Sequence, residues 1–115
     1  MSFLALLAER AHLYAREAGQ ERWRRVTVEP LRCRVVALTP REAEMRLAQM
    51  RGETTHRGRC LPNPHVVAGR AMVVNGERAF VIVSVRAVDH PRPRGHLALE
   101  LQEVPLRSIE PADGE

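Results

Sequence analysis

The residue types that catalysis requires are thinly represented in this chain. A nucleophilic or acid–base site needs a nucleophile, a base and a group that orients the base, all within reach of one another. The only aspartates are Asp89 and Asp113, and none of the serines lies in the Gly-x-Ser-x-Gly pattern of a nucleophile elbow. The sequence also lacks the Walker A and Gly-x-Gly-x-x-Gly phosphate-binding motifs. We therefore expect that the chain is not an enzyme and that it uses no cofactor.

A group of histidines and cysteines has the donor atoms of a metal site but not the spacing. His56, Cys60 and His65 lie in one short segment, and Cys33 lies upstream. Thiolates and imidazoles are the ligands that zinc prefers, yet these spacings match none of its paired-ligand patterns. Free cysteines are commonly small apolar core residues. We expect core cysteines and no metal site; a disulfide between Cys33 and Cys60 is the alternative, suited to a hyperthermophile.

Arginine supplies every basic side chain in the sequence. The chain has 18 basic and 14 acidic residues, for a net charge of +4. Because lysine is absent, catalysis by a lysine Schiff base or a lysine general base is excluded. Arg22, Arg24 and Arg25 surround Trp23, as in barrels that bind single-stranded nucleic acid by charge and stacking. With one Trp and one Tyr in the chain, a solvated, ion-paired surface is the favoured interpretation, and nucleic-acid binding is the alternative.

Length and composition indicate one small domain. A chain of 115 residues has room for a single hydrophobic core, and a hydrophobic content of 44% can build it. No segment has the apolar length that crosses a bilayer, and residues 1–10 lack the features of a signal peptide. Two cysteines suit a reducing compartment. We expect a protein made in the cytoplasm, with residues 1–104 as one domain and residues 105–115 as a C-terminal tail whose acidic end, residues 110–115, is loose.

The clearest local signal predicts a helix over residues 40–51. Thr39 at the N-cap and Glu42 three residues later form a capping box, and Pro40 occupies the first helical position. Three apolar residues then recur at helical spacing: Ala43, Leu47 and Met50. A helix of about three turns is not stable alone. We therefore expect its apolar stripe to dock on a sheet.

Alternation of residue types predicts strands in most of the remaining chain. The predicted strands cover residues 9–16, 21–38, 53–61, 71–74, 77–88 and 96–104. Pro30 marks an edge position, a bulge or a break between two strands in the second of these. Asn75-Gly76 between two apolar runs predicts a tight hairpin. Several short strands with one inserted helix are typical of a small antiparallel barrel or a small sandwich.

Two of these strands have patterns that predict how their side chains face. In residues 53–61, one face is expected to carry Thr54, His56, Gly58 and Cys60, and the other Thr55, Arg57 and Arg59. In residues 77–88, one face is expected to carry Phe80, Ile82 and Ser84, and the other Val81, Val83 and Val85. The second pattern predicts burial on both faces at the centre of that strand.

Four motifs follow one another in an order found in a known family. A strand enters the helix start Leu38-Thr39-Pro40-Arg41-Glu42, and the strand Glu53-Thr54-Thr55-His56-Arg57 follows. A hairpin then runs from Gly69-Arg70 through Gly76 and Arg78 to Phe80, Ile82, Ser84 and Val85, and a leucine-rich strand covers residues 97–103. Over residues 9–104 this series resembles the head–tail joining proteins of tailed phages, also called head-closure, stopper or head-completion proteins.

The resemblance implies a mainly β fold, a small SH3-like antiparallel β-barrel with one inserted short α-helix. It also implies a structural protein of the virion, a subunit of a homo-oligomeric ring in the head–tail connector, below the portal and its adaptor ring. Such a ring retains packaged DNA in its channel without reading its sequence, and it offers a docking surface to the tail terminator or tail tube. No membrane contact is implied. A nucleic-acid-binding small β-barrel of OB or SH3-like type is the alternative.

Within this interpretation, five arginines are candidate contacts to partner rings or channel DNA: Arg70, Arg92, Arg94, Arg41 and Arg46. The first three belong to the predicted loops 61–70 and 89–95, which we expect to contact partners together with the C-terminal tail. The last two lie on the helix among glutamates. There, pairing between residues four apart on a solvated face is the alternative.

Overall fold

The computed structural model describes residues 7–48, 54–88 and 95–110. Its elements are β1 (Glu9–Ala15), β2 (Arg24–Arg25), β3 (Leu31–Ala37), α1 (Pro40–Ala48), β4 (His56–Cys60), β5 (Ala71–Val74), β6 (Arg78–Val88), β7 (His96–Val104) and a 3-10 helix, Leu106–Ser108. All the predicted strand regions are confirmed. The second region divides into β2 and β3 on either side of Pro30, because proline cannot donate a ladder hydrogen bond. Neither described helix is long and apolar enough to span a membrane.

Six of the strands close into an antiparallel barrel. Their hydrogen-bonded order is β1-β3-β4-β7-β6-β5, and β5 pairs back to β1. Leu13 faces Met72 across the closing pair, and both side chains are fully buried. The short β2 pairs with the C-terminal end of β1, where Tyr14 faces Arg25 and Ala15 faces Arg24. The predicted class, a mainly β fold with a small antiparallel barrel and one short helix, is confirmed, and the sandwich alternative is excluded by the β1–β5 closure.

The β5–β6 hairpin is built as the Asn75-Gly76 signal predicts. Both residues have positive φ, 53° for Asn75 and 69° for Gly76, as a tight hairpin turn requires. The turn is also tied to the first strand, since Arg10 N–H donates to Asn75 Oδ1 at 3.0 Å and Asn75 N–H donates to the Arg10 carbonyl at 2.7 Å. One short turn therefore orients both β5–β6 and the strand pair that closes the barrel.

Two apolar clusters lie on opposite sides of the barrel wall. The larger one fills the interior around Phe80, Leu13 and Leu101. The smaller one covers the outside of β1, β5 and β6 and contains Tyr14 and Ile109. This second cluster explains why every residue of β5 is buried, since its two faces pack on different clusters.

The described part of the C-terminal segment packs on this second cluster. Residues 105–110 form the 3-10 turn and place Ile109, 2% exposed, against the barrel. Tyr14 hydroxyl donates a hydrogen bond to Glu110 Oε1. Leu106 and Ile109 supply apolar surface that covers the outside of β5, so the described part of the C-terminal segment packs on the barrel. Residues 111–115 lie outside the described part.

The helix begins where the capping box predicts. Thr39 N–H donates to Glu42 Oε1 at 3.1 Å, and Glu42 N–H donates to Thr39 Oγ1 at 3.2 Å. Its described end is Ala48, and residues 49–51 of the predicted helix lie outside the described residues. The predicted docking on a sheet is not seen in the first turns, since no side chain of residues 40–45 is buried. The side chains of Leu47 and Met50 lie outside the described part.

A β-bulge at Val83 changes the predicted facing of β6. Ile82 pairs with Leu101, but Ser84 pairs with Glu100, so one extra residue lies between the two pairs. After the bulge the faces are exchanged, and Val85 packs on the interior cluster while Ser84 turns outward. The expectation that Ser84 shares the face of Phe80 and Ile82 is therefore wrong, because strict alternation ends at an inserted residue.

Candidate functional site

Three arginines from three strands lie in one line across the outside of the barrel. Arg34 on β3 is the register partner of Arg59 on β4. Arg59 pairs in turn with Ala98 on β7, and Ala98 pairs with Arg86 on β6. Arg34, Arg59 and Arg86, which we call the arginine row, are all exposed. The register therefore gathers residues that are far apart in the sequence into one basic strip.

Local sequence patterns set the direction of each member of the row. On β3 and β4 the alternation buries Cys33, Val35, Gly58 and Cys60, so Arg34 and Arg59 must point outward. On β6 the bulge at Val83 does the same for Arg86, which would otherwise share the inward face of Ile82. The predicted facing of β4 is confirmed.

The row borders an open groove of about 660 Å³ on the outer face of β4, β7 and β6. Its lining residues are Arg57, Gly58, Arg59, Ser84, Val85, Arg86, Ala98, Leu99 and Glu100. Arg57 is neutralised by Glu42, whose Oε2 lies 2.7 Å from Arg57 Nη1. Glu100 Oε2 accepts a hydrogen bond of 3.1 Å from Thr54 Oγ1. The groove thus holds one paired arginine and one engaged carboxylate beside the row.

Among the described residues, the guanidinium groups of the row have no carboxylate partner. In residues 7–48, 54–88 and 95–110, no ion pair and no hydrogen bond involves the side chain of Arg34, Arg59 or Arg86. Like charges that face each other directly across a strand pair repel. A bound anion would therefore reduce the repulsion between the guanidinium groups of the row.

A second basic groove lies at the β1–β2 turn and contains one of the predicted contact residues. Its volume is about 610 Å³, and its basic lining residues are Arg16, Arg22, Arg24 and Arg70. Arg70 Nη1 donates to the His65 carbonyl at 3.0 Å, which directs it along the loop. The guanidinium carbon of Arg16 lies 4.6 Å from the centre of the Trp23 ring. Because Trp23 packs on the second cluster and Arg16 covers its ring, it is not a free stacking platform.

The structure does not bring the predicted contact arginines together. Arg70 lies in the second groove, and Arg41 is exposed in the first turn of α1. Arg46 lies on the helix, but its side chain is outside the described part, as are Arg92 and Arg94. The arginine row is not among the predicted contacts, because alternation groups Arg59 with Arg57 on one face of its strand but gives no register that aligns it with Arg34 and Arg86.

The cysteines lie in the core, as predicted. Cys33 and Cys60 are register partners on β3 and β4, both fully buried and both free thiols. Burial raises the pKa of Cys33 to about 12 and that of Cys60 to about 11. Both are therefore neutral thiols at physiological pH. Among the described residues, no cluster of three or more histidine, cysteine, aspartate or glutamate side chains is suited to a metal ion.

His56 is buried at one end of the barrel in a polar network. Its Nε2 lies 2.8 Å from Arg78 Nη2, and its Nδ1 lies 2.9 Å from Thr55 Oγ1. Because a guanidinium only donates, Nε2 must accept and the proton lies on Nδ1. Burial lowers the pKa of His56, and the attraction of Glu103 opposes this shift. His56 is therefore a neutral structural residue whose ring packs edge-on against Phe80 at 4.9 Å.

A scan against models of protein families and a search of curated proteins find no match to this chain.

Proposed function

We propose that this chain is a structural protein of the virion, a head-closure subunit in the head–tail connector of a tailed phage. In this role, copies of the chain form a ring below the portal and adaptor rings. The ring retains packaged DNA and offers a docking surface to the tail terminator or tail tube. No catalytic step is part of this role.

The contact between Glu42 and Arg57 is the observation that carries this proposal. Glu42 belongs to the motif at the helix start, and Arg57 is the last residue of the Thr-His-Arg motif, the most specific match of the resemblance. Their side chains pair at 2.7 Å. Glu42 also caps α1 through Thr39, so one carboxylate joins the helix start to β4. Two motifs that were matched separately along the chain thus form a single structural unit, which supports a shared origin for both.

The exposed first turns of α1 give the proposed ring a contact element. No side chain of residues 40–45 is buried, and Met45 is 50% exposed. A ring is built from heterologous contacts, in which each subunit presents two different patches to its neighbours. Since the barrel is closed between β1 and β5, a neighbour cannot extend that sheet at this point and must contact side chains. We therefore assign the first turns of α1 to a contact between subunits.

The decisive experiment adds the purified chain to portal–adaptor particles and images them by electron microscopy. We expect an additional ring at the exit of the adaptor. Met45→Glu, which places a charge on the exposed helix, is expected to reduce ring occupancy. Val28→Glu is the matched control, because Val28 is 93% exposed in the turn before β3, away from the helix. Particles that never gain a ring with the unaltered chain would contradict the proposal.

The second candidate function is that of a free-standing nucleic-acid-binding barrel. The arginine row favours it, because unpaired guanidinium groups suit phosphates. The covering of Trp23 by Arg16 disfavours the stacking form of this function. The two candidates differ in the same imaging experiment, since a free-standing module adds no ring to the particles.

A further inference from the structure

We propose that the arginine row binds the phosphate backbone of duplex DNA without regard to base sequence. The inference deepens the proposed function and rests on it for the setting of the contact, the DNA in the connector channel. The contact itself is a property of the isolated chain.

Unsatisfied charge is the first argument for an anionic ligand. Arg34 and Arg59 are cross-strand partners of the same sign, and the side chain of neither has a carboxylate or hydrogen-bond partner in the described part of the chain. Arg57, on the same outer face, shows the contrast, because Glu42 neutralises it. A guanidinium can bond a phosphate through two parallel N–H donors. Phosphate oxygens would therefore accept hydrogen bonds from the row and neutralise its charge, as the Glu42 carboxylate does for Arg57.

The shape of the row suits an extended polyanion. Arg34 and Arg86 stand on strands three spacings apart, so the row spans roughly 14 Å. Ala98 lies between Arg59 and Arg86 in the register, and its side chain is too small to obstruct a ligand that contacts both arginines. All three arginines are exposed to solvent. A duplex carries about one negative charge per 1.7 Å of its axis and can therefore engage all three arginines at once.

The composition of the groove favours duplex DNA over single-stranded nucleic acid and over an acidic protein. No aromatic side chain of the described residues lines the groove. Modules that bind single strands stack the bases on aromatic rings, and the cores of protein interfaces are rich in aromatic residues and poor in charge. The lining combines three arginines with small and aliphatic residues and offers neither feature. Its carboxylate, Glu100, accepts a hydrogen bond from Thr54. Contacts of this type position a phosphate backbone and carry no sequence information.

The test measures binding of the full chain to a fluorescently labelled duplex of about 20 base pairs by anisotropy, between about 50 and 200 mM salt. We expect the logarithm of the affinity to fall linearly with the logarithm of the salt concentration. Combined substitution of Arg34→Gln, Arg59→Gln and Arg86→Gln should make this slope shallower by about 2.7, and affinity at the lowest salt should fall about tenfold or more. Arg86→Gln alone should change the slope by about one.

The matched control removes the same charge elsewhere: Arg10→Gln, Arg32→Gln and Arg107→Gln, all at exposed positions that line neither basic groove. We expect it to leave most of the slope intact. Thermal unfolding of both triple variants checks that each is folded, and Arg86→Gln serves as the test if the first triple variant is not. An equal loss of slope in both variants would overturn the inference, because net charge alone would then explain binding.

Competition experiments decide between the classes of ligand. We expect unlabelled duplexes of unrelated sequence to compete equally and poly-glutamate to compete weakly. A tighter complex with single-stranded DNA, or with poly-glutamate, would overturn the assignment to duplex DNA. No binding by the unaltered chain at the lowest salt would overturn it outright.

The inference and the proposed function fail separately. A row variant that still adds a ring to portal–adaptor particles, and that no longer binds duplex DNA, supports both. Ring formation by an unaltered chain that does not bind DNA contradicts the inference alone. DNA binding through the row without any ring contradicts the proposed function alone.

Discussion

Arg34 lies directly opposite Arg59 on neighbouring antiparallel strands, and neither has a carboxylate partner in the described part of the chain. Exposed like charges at this spacing raise the free energy of the folded state. The arrangement therefore lowers the stability of the isolated protein. A bound phosphate would reduce this repulsion, so relief of the repulsion would favour binding. This relationship links the stability of the barrel to its proposed ligand.

The first prediction is that Arg34→Glu stabilises the barrel and weakens DNA binding. The substitution replaces a like-charge cross-strand pair by an opposite-charge pair, which is worth about 0.2–1 kcal/mol. Urea denaturation at low salt measures the gain, and it should shrink as salt is added. Arg107→Glu, at an exposed position on the 3-10 helix, is the control for a general effect of net charge. A loss of stability specific to Arg34→Glu would contradict the repulsion.

The second prediction concerns the close packing at Gly58. A Cβ at this position would lie 3.0 Å from Leu101 Cδ1 and 3.4 Å from the Arg34 carbonyl oxygen. Because Leu101 is fully buried, Gly58→Ala should lower the free energy of unfolding by about 1–3 kcal/mol. Chemical denaturation gives the value. In a Leu101→Val background, which removes the obstructing atom, the cost of Gly58→Ala should be smaller; an unchanged cost would place the strain elsewhere.

The third prediction is a fall in stability as the pH drops through the titration of His56. The folded-state pKa of His56 lies below its ordinary value of 6.5, so folding favours the neutral ring. Its contribution is fully present above pH 6.5 and is lost as the pH falls towards the folded-state pKa. Below that value, protonation removes the acceptor that Arg78 uses.

Thermal unfolding between about pH 7.5 and 5.5 measures this dependence, above the range where carboxylates titrate. His56→Gln should flatten part of the pH dependence, although it also loses the edge-on contact with Phe80. His65→Gln is the control, since His65 is exposed in a loop. A profile that responds to His65→Gln and not to His56→Gln would contradict the assignment.

The fourth prediction is that the C-terminal segment contributes to the stability of the barrel. Ile109 is 2% exposed in the second apolar cluster, so Ile109→Ala should cost about 2–4 kcal/mol. Arg107→Ala, two residues away and exposed, should cost much less. Denaturation of both variants tests this. Equal stability of the two would mean that residues 105–110 behave as the tail that the sequence predicted.

The elements that the sequence predicted well depend on short-range chemistry. The capping box of Thr39 and Glu42 and the hairpin turn at Asn75 involve residues within three positions of each other. The outward direction of Arg59 follows from alternation within one strand. Each of these can be predicted because the interacting groups are close along the chain, so the pattern contains the whole interaction.

The sequence could not predict the arginine row, because it depends on pairings between distant segments. Arg34 and Arg59 meet through the β3–β4 register, and Arg86 joins them only because the bulge at Val83 exchanges the faces of β6. A bulge has no alternation signature of its own, and one inserted residue reverses the facing of every residue that follows.

By itself, the sequence determined the type and approximate position of the described strands, the start of the helix and the central hairpin turn. The tertiary structure alone decided the closure of β1 on β5, the packing of Ile109 on the barrel and the alignment of the three arginines. The physical reason is the range of the interactions. Local hydrogen bonds and periodicity act within a few residues, whereas register and packing are decided only when remote segments come together and bury their apolar surface.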